Sequence, residues 1–117
     1  MRADALIGPL ADTIELPNFT QFKNESVSFL NHFSVTSPCG PARASLLTGQ
    51  YAMNHRSVRN GTPLAHDTSN LATSLNFKGI EPLLYGYTDT SQDPRMYEQG
   101  DPILTSYEEV LNGFTEA

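Results

Sequence analysis

A lone cysteine, Cys39, is the residue of this sequence best suited to chemistry. It lies in a Ser-Pro-Cys-Gly turn, and Pro41 is well placed as the first residue of a helix, where its missing N–H costs no hydrogen bond. The free N–H groups and the positive dipole end of such a helix stabilise an anion. Arg43, one helical turn further along, adds a bidentate donor for an oxyanion. The pattern predicts a nucleophile or a metal ligand beside an anion-binding helix start. The competing interpretation is a small buried hydrophobic residue.

Three other reaction types fit this segment less well. Tyrosine-phosphatase loops place the arginine six positions after the cysteine, where this sequence has Ser45. The sequence contains no Gly-Lys-Ser/Thr phosphate loop. A thiol protease would need a histidine base, and nothing in the spacing of His32, His55 and His66 recommends one of them.

The segment from Cys39 resembles the signature of the sulfatases, a family of the alkaline phosphatase superfamily. Cys39, Pro41 and Arg43 match Cys-x-Pro-x-Arg, and Leu-Thr-Gly follows at residues 47–49. The resemblance implies that a formylglycine-generating enzyme oxidises Cys39 to an aldehyde, which hydrates to a gem-diol. One hydroxyl, bound to a divalent cation (Ca²⁺ or Mn²⁺), then attacks sulfur or phosphorus. The other loses its proton, so that the covalent ester collapses and the inorganic anion leaves. It thus places Cys39, as formylglycine, among the metal ligands, and Cys39 and Arg43 in catalysis.

Two further segments, residues 51–60 and 86–95, look like the phosphonate monoester hydrolase and related arylsulfatase branch of that family. Altogether the resemblance covers about residues 2–97. It implies a small-molecule sulfate or phosphonate ester as substrate.

Three side chains in these segments are expected to bind substrate. Asn60 matches an amide that this branch points at the non-bridging oxygens, although it is equally typical of a turn before Gly61. Tyr87 and Asp89 stand where common arylsulfatases have a lysine and a histidine. Asp89 also departs from the hydroxyl residue of the hydrolase branch; it could orient a neighbour or meet a cationic substrate group. With two cations replaced, a monoanionic diester or a sulfate monoester becomes the more natural substrate.

The family's cation is held by acidic and amide side chains from a first strand and from a C-terminal half. A hard divalent cation takes about six oxygen ligands, and this sequence offers only residue 39 for that role. We therefore expect residues 1–117 to be a fragment of a sulfatase N-terminal catalytic domain that is inactive alone. The alternative is a small non-catalytic α/β relic that binds a protein partner through exposed sheet edges.

The pattern of apolar, Gly and Pro residues predicts the elements that position this segment. A loop precedes a helix from Pro17 to about Glu25. A strand is predicted in 27–33, and a helix over 41–47 is ended by Gly49. The next helix is capped by Asp67 or Thr68, buries Leu71, Ala72 and Leu75, and stops at Gly79. A buried strand at 83–85 and a helical turn around 107–111 follow. The alternation indicates an α/β fold with partly parallel strands. The resemblance implies a partial three-layer sandwich, part of the large mixed sheet of an alkaline-phosphatase-like fold.

Composition excludes several classes of protein. The chain has 117 residues, 13 acidic against 7 basic side chains and a net charge of −6, which argues against nucleic-acid binding. Its single cysteine rules out an internal disulfide framework. No apolar run approaches the roughly 18 residues of a membrane span, and no secretory leader is visible. These features predict a cytoplasmic protein without a membrane partner.

Overall fold

The computed structural model describes residues 7–11, 13–106 and 109–117. The chain forms two compact units, Met1–Phe33 and Ser34–Ala117. Within the described ranges, no helix combines the length and the apolar character needed to cross a membrane.

The helix that the sequence predicts from Pro17 is present in the first unit as α1 (Pro17–Asn24). It begins with a proline, whose fixed φ suits the first helical position. At the C-terminal end of the helix, the Glu25 amide donates to the Gln21 carbonyl at 3.1 Å. The Gln21 side chain also donates to the Glu25 carboxylate at 2.9 Å, an i,i+4 pair. No side chain of α1 is buried.

The strand predicted in 27–33 is wrong. These residues form an irregular segment with a turn at Leu30 and Asn31, and the apolar side chains Val27, Phe29 and Phe33 are exposed. A strand persists only when a neighbouring strand accepts its backbone hydrogen bonds. No strand within the described ranges pairs with this segment.

The second unit contains the other regular elements. They are α2 (Cys39–Thr48), α3 (Ala52–His55), α4 (Leu71–Phe77), β1 (Leu83–Leu84), two 3₁₀ turns (Pro94–Met96 and Pro102–Thr105) and β2 (Thr115–Glu116). Helix α2 packs against α3 and α4. Its predicted end is confirmed, because Gly49 adopts a left-handed φ of 69° and closes the helix. A small core contains Pro41, Ala44, Leu64, Ala72 and Leu111.

Helix α4 is present, but its predicted cap is wrong. Asn70 caps it, accepting hydrogen bonds from the amides of Ala72 (2.9 Å) and Thr73 (3.1 Å) in a capping box. Asp67 lies further out, at 3.9 Å from Arg95. Of the expected apolar face, Ala72 is fully buried, Leu75 is half-buried and Leu71 is exposed.

The two strands form a parallel pair, with Leu83 opposite Thr115 and Leu84 opposite Glu116. The parallel arrangement is as predicted, although the partner of β1 is β2 and not the segment 27–33. Burial of β1 is less than predicted: Leu83 is exposed and Leu84 is half-buried.

The helical turn predicted around 107–111 can be compared with the structure only in part, because Tyr107 and Glu108 lie outside the described residues. Glu109 forms an antiparallel bridge with Thr90, and Leu111 lies in the core. The end of the chain thus holds the segment that follows β1.

Candidate active site

Cys39 is a free, exposed cysteine at the first residue of α2. The chain enters the helix through Pro38, in extended conformation after a cis Ser37–Pro38 peptide bond. Gly40 and Pro41, which follow Cys39, are buried. The interpretation of Cys39 as a buried hydrophobic residue is therefore wrong, and its sulfur is open to chemistry at a helix N-terminus.

Asn60 contacts this helix start with both ends of its amide. Its Nδ2 donates to Sγ of Cys39 at 3.0 Å, and its Oδ1 accepts from the Gly40 amide at 2.9 Å. Because the Gly40 amide can only donate, it fixes which end of the Asn60 side chain faces the sulfur. A Cβ on Gly40 would lie 3.1 Å from Oδ1, so the contact depends on the glycine.

Asn60 is also a turn residue, as one of its two sequence interpretations predicts. The amide of Thr62 donates to the Arg59 carbonyl at 3.1 Å, and Gly61 has a φ of 75°. A positive φ at the third turn position requires glycine. The turn presents the Asn60 side chain to Cys39, while a role in binding substrate stays a prediction.

Arg43 and Tyr87 meet through two contacts. Nη1 of Arg43 donates to the Tyr87 carbonyl at 3.2 Å, and the guanidinium carbon lies 4.7 Å from the centroid of the Tyr87 ring. A guanidinium over an aromatic face is attracted by the ring quadrupole. These contacts hold the Arg43 cation one turn along the helix that Cys39 begins, and leave the Tyr87 side chain 46% exposed.

Asp89 is buried, with 5% exposure, and adopts a left-handed φ of 60°. Its carbonyl oxygen would lie 3.1 Å from a Cβ on Gly40. The preceding Thr88 holds this backbone: its hydroxyl donates to the Glu109 carbonyl and accepts from the Leu111 amide, both at 2.8 Å. Among the described residues, none donates a hydrogen bond to the Asp89 carboxylate. Its contact with substrate stays a prediction.

Sequence reasoning left His55 out of the site, yet it links two of the site's elements. Its Nε2 lies 2.9 Å from Oγ of Ser45 on α2, and its Nδ1 accepts from the Ser57 amide at 3.1 Å. All three residues are buried. Burial lowers the pKa of His55 below its ordinary value of 6.5, which keeps the ring neutral. No local pattern marks residues ten apart as partners, so only the fold reveals this link.

Asp93 anchors the end of the segment that carries Tyr87 and Asp89. Its carboxylate accepts from the backbone amides of His66 and Arg95 at 3.0 Å and pairs with the Arg95 guanidinium. The guanidinium, followed by the two amides, holds the pKa of Asp93 well below its usual range.

A divalent cation finds no complete site in the part of the chain described. Within those ranges, no three His, Cys, Asp or Glu side chains converge as metal ligands would. Residue 39 is the ligand that the sequence resemblance assigns here, and one ligand does not hold a hard cation.

Comparison with known proteins matches this chain to one family. A family model described as Sulfatase matches residues 4–115. The multifunctional alkaline phosphatase superfamily protein PehA of Trinickia caryophylli is 45% identical over 101 residues, which make up 86% of this chain and 20% of that protein.

Two solved structures are similar over nearly the whole chain. The phosphonate monoester hydrolase SpPMH from Silicibacter pomeroyi has a TM-score of 0.92 and 62% identity, covering 99% of this chain and 23% of that one. The phosphonate monoester hydrolase of Agrobacterium radiobacter has a TM-score of 0.85 and 45% identity, covering 98% and 23%. The chain thus spans about a fifth of the length of these relatives, and the predicted fold class, part of an alkaline-phosphatase-like α/β fold, is confirmed. The chain belongs to the sulfatase family.

Proposed function

We propose that this protein carries the nucleophile-bearing part of a hydrolase of sulfate or phosphonate esters, and that Cys39 is its nucleophile after conversion to formylglycine. The observation that carries the proposal is the position of Cys39: exposed, first in its helix, and in contact with the Asn60 amide. Membership of the sulfatase family and similarity to two phosphonate monoester hydrolases support both ester classes.

In the proposed reaction, a hydroxyl of the hydrated aldehyde at residue 39 attacks sulfur or phosphorus, and the ester's alcohol leaves. The second hydroxyl then loses its proton, the carbon–oxygen bond to the anion breaks, and the aldehyde is restored. A bound divalent cation would supply charge neutralisation and lower the pKa of the attacking hydroxyl. A serine in this position could be esterified but could not release the anion by this route.

The neighbouring side chains have roles that follow from their positions. Asn60 holds residue 39 through Nδ2 and, by its second Nδ2 proton, offers a donor to an ester oxygen. Arg43 supplies positive charge on the same helix, held in orientation by Tyr87. At the start of α2 the Gly40 amide is bonded to Asn60, Pro41 has no N–H and the Ala42 amide donates to the Pro38 carbonyl, so the Cys39 amide is the backbone donor left there for an anion. With Asn60 and Tyr87 as neutral partners, the Arg43 cation suits a monoanionic ester better than a dianion.

The test is to express the complete reading frame together with a formylglycine-generating enzyme. Mass spectrometry of the peptide containing residue 39 should show loss of the sulfur, and the product should hydrolyse p-nitrophenyl sulfate or p-nitrophenyl phenylphosphonate. The Cys39→Ser variant should show neither conversion nor multiple turnovers. Full activity in Cys39→Ser would refute the formylglycine mechanism, and complete conversion without hydrolysis of either ester would favour the non-catalytic alternative.

A further inference from the structure

We propose that His55 is a positioning residue: it ties the turn that carries Asn60 to the helix that begins at Cys39, and so sets the contact between Asn60 and residue 39. This inference deepens the proposed function and rests on it for its kinetic consequences. Its structural part can be tested without any turnover.

The hydrogen bonds of His55 define its tautomer. Its Nδ1 accepts a hydrogen bond from the Ser57 amide at 3.1 Å, so this nitrogen carries no proton. In the neutral ring the proton is then on Nε2, which donates to Oγ of Ser45 at 2.9 Å. One neutral imidazole therefore satisfies a donor on one side and an acceptor on the other.

The two hydrogen-bond partners of His55 lie on different elements of the site. Ser45 lies on α2, six residues after Cys39 and buried to 5% exposure. Ser57 lies two residues before the turn that contains Asn60, and its hydroxyl donates to the Thr62 carbonyl at the end of that turn at 2.9 Å. His55 thus bridges the helix and the turn.

The His55 bridge affects the contact between Asn60 and Cys39. Asn60 is exposed and projects from the turn, with its side-chain bonds going to Gly40 and Cys39 at the start of α2. The helix and the turn are thereby joined at two places, by the Asn60 amide at one end and by the His55 bridge at the other. Buried hydrogen bonds with satisfied partners fix geometry more firmly than exposed ones. Loss of the bridge should let the turn move and weaken the contact of Asn60 with residue 39.

The structural test is a nuclear Overhauser effect between the Asn60 Nδ2 protons and the Cβ protons of Cys39. The sequence has one cysteine, so a ¹³C-cysteine label reports on residue 39 alone. The effect should be present in the parent chain and lost in His55→Gln, which lacks the Nδ1 acceptor, and in Ser45→Ala, which removes one hydroxyl. His66→Gln and Ser74→Ala are the matched controls and should keep it, since His66 is exposed and the Ser74 hydroxyl bonds to Asn70 on a different helix.

Two outcomes would overturn the proposal. One is an unchanged effect in both His55→Gln and Ser45→Ala with the chain still folded. The other is global unfolding of both His55→Gln and Ser45→Ala, which would make the bridge a stability element and not a positioning one. Loss of the effect in either folded variant, with both controls intact, supports it.

The kinetic test is a double-mutant cycle on ester hydrolysis. If His55 acts through Asn60, kcat should fall about tenfold in His55→Gln and further in Asn60→Ala, and the double variant should be no slower than Asn60→Ala alone. A merely structural role would make the two losses multiply. Multiplying losses would overturn the proposal, whereas absence of hydrolysis in the parent would refute the proposed function and leave the structural test to decide the role of His55.

Discussion

The side-chain amide of Asn60 spans the start of α2, with Nδ2 3.0 Å from Sγ of Cys39 and Oδ1 2.9 Å from the Gly40 amide. One side chain thereby contacts the Cys39 side chain and accepts the hydrogen bond of the Gly40 amide. Residues 21 apart in the sequence thus act on one helix terminus.

Substitution of Asn60 should separate these two effects. Asn60→Ala loses both bonds, and we expect the free energy of unfolding to fall by about 1 kcal/mol. Asn60→Asp keeps an acceptor for Gly40 but turns a carboxylate oxygen toward residue 39, so hydrolysis should fall by about a hundredfold or more with less change in stability. Denaturant titration and initial rates give the two numbers. Asn54→Ala, at an exposed position, is the control; equal losses there would contradict the specific role of Asn60.

Arg43→Lys keeps the positive charge but removes the planar group that lies over Tyr87 and donates to its carbonyl. We expect kcat/KM for a sulfate ester to fall about tenfold, which corresponds to about 1.4 kcal/mol. Tyr87→Phe retains both the ring and the carbonyl and should leave Arg43 in place. Any loss of activity in Tyr87→Phe would therefore report on the hydroxyl itself. Wild-type kcat/KM in Arg43→Lys would show that charge alone is needed.

Gly40→Ala should disturb the site through crowding. The added Cβ would lie 3.1 Å from both the Asn60 Oδ1 and the Asp89 carbonyl oxygen, so one of them must move. We expect a loss of about 1–3 kcal/mol in stability and a weaker contact between Asn60 and residue 39. Gly49→Ala is the comparison, because its cost, about 1 kcal/mol, comes from a φ of 69° with open space around it. If Gly49→Ala altered the Asn60 signal as much, crowding would not be the cause.

His55 should make stability depend on pH in the mildly acidic range. Burial holds its pKa below the ordinary 6.5, so the unfolded chain takes up a proton first as the pH falls. The contribution of His55 to the free energy of unfolding should be at its maximum above pH 6.5. It should decrease as the pH drops from there toward the folded-state pKa of His55. Urea midpoints measured between about pH 8 and about pH 5 should show this slope, and His55→Asn should flatten it. His66→Asn should leave it unchanged, and a slope that survives in His55→Asn would assign it to another group.

Asp93 should contribute to acid denaturation at lower pH. Its folded-state pKa lies well below the usual 3.8, so its contribution is present above pH 3.8 and is lost as the pH falls toward the folded-state value. Asp93→Asn should be less stable at neutral pH and show a shallower acid limb by circular dichroism. Asp101→Asn is the matched control, because Asp101 begins the second 3₁₀ turn by accepting from the Ile103 amide and, among the described residues, has no arginine partner. Equal flattening in both variants would contradict the role given to the Arg95 pair.

Local sequence determined the elements whose signals lie within a few residues. Proline at the first helical position marks α1, and glycine just after the last one marks α2. Helix α1 begins where it is predicted, whereas α2 begins at Cys39, two residues before the predicted start at Pro41. The signature around Cys39 likewise indicated the family, because its residues lie close together in the sequence, within residues 39–49. The α4 cap was missed by two or three positions, since Asp67, Thr68 and Asn70 are all capable of capping and only the backbone geometry selects Asn70.

Tertiary structure decided everything that depends on residues far apart in the chain. The strand expected in 27–33 lacks a paired strand among the described residues, whereas Leu83 and Leu84 pair with Thr115 and Glu116. A strand forms only where a neighbouring strand supplies the other half of its backbone hydrogen bonds. An apolar run in the sequence does not specify which segment that neighbour is. The bridge from Ser45 through His55 to Ser57 arises in the same way, because burial and the Ser45 hydroxyl, ten residues away, complete what the neighbouring Ser57 amide begins in setting the tautomer of His55. The sequence by itself thus determined which residue is the nucleophile candidate, and the fold decided which side chains hold it.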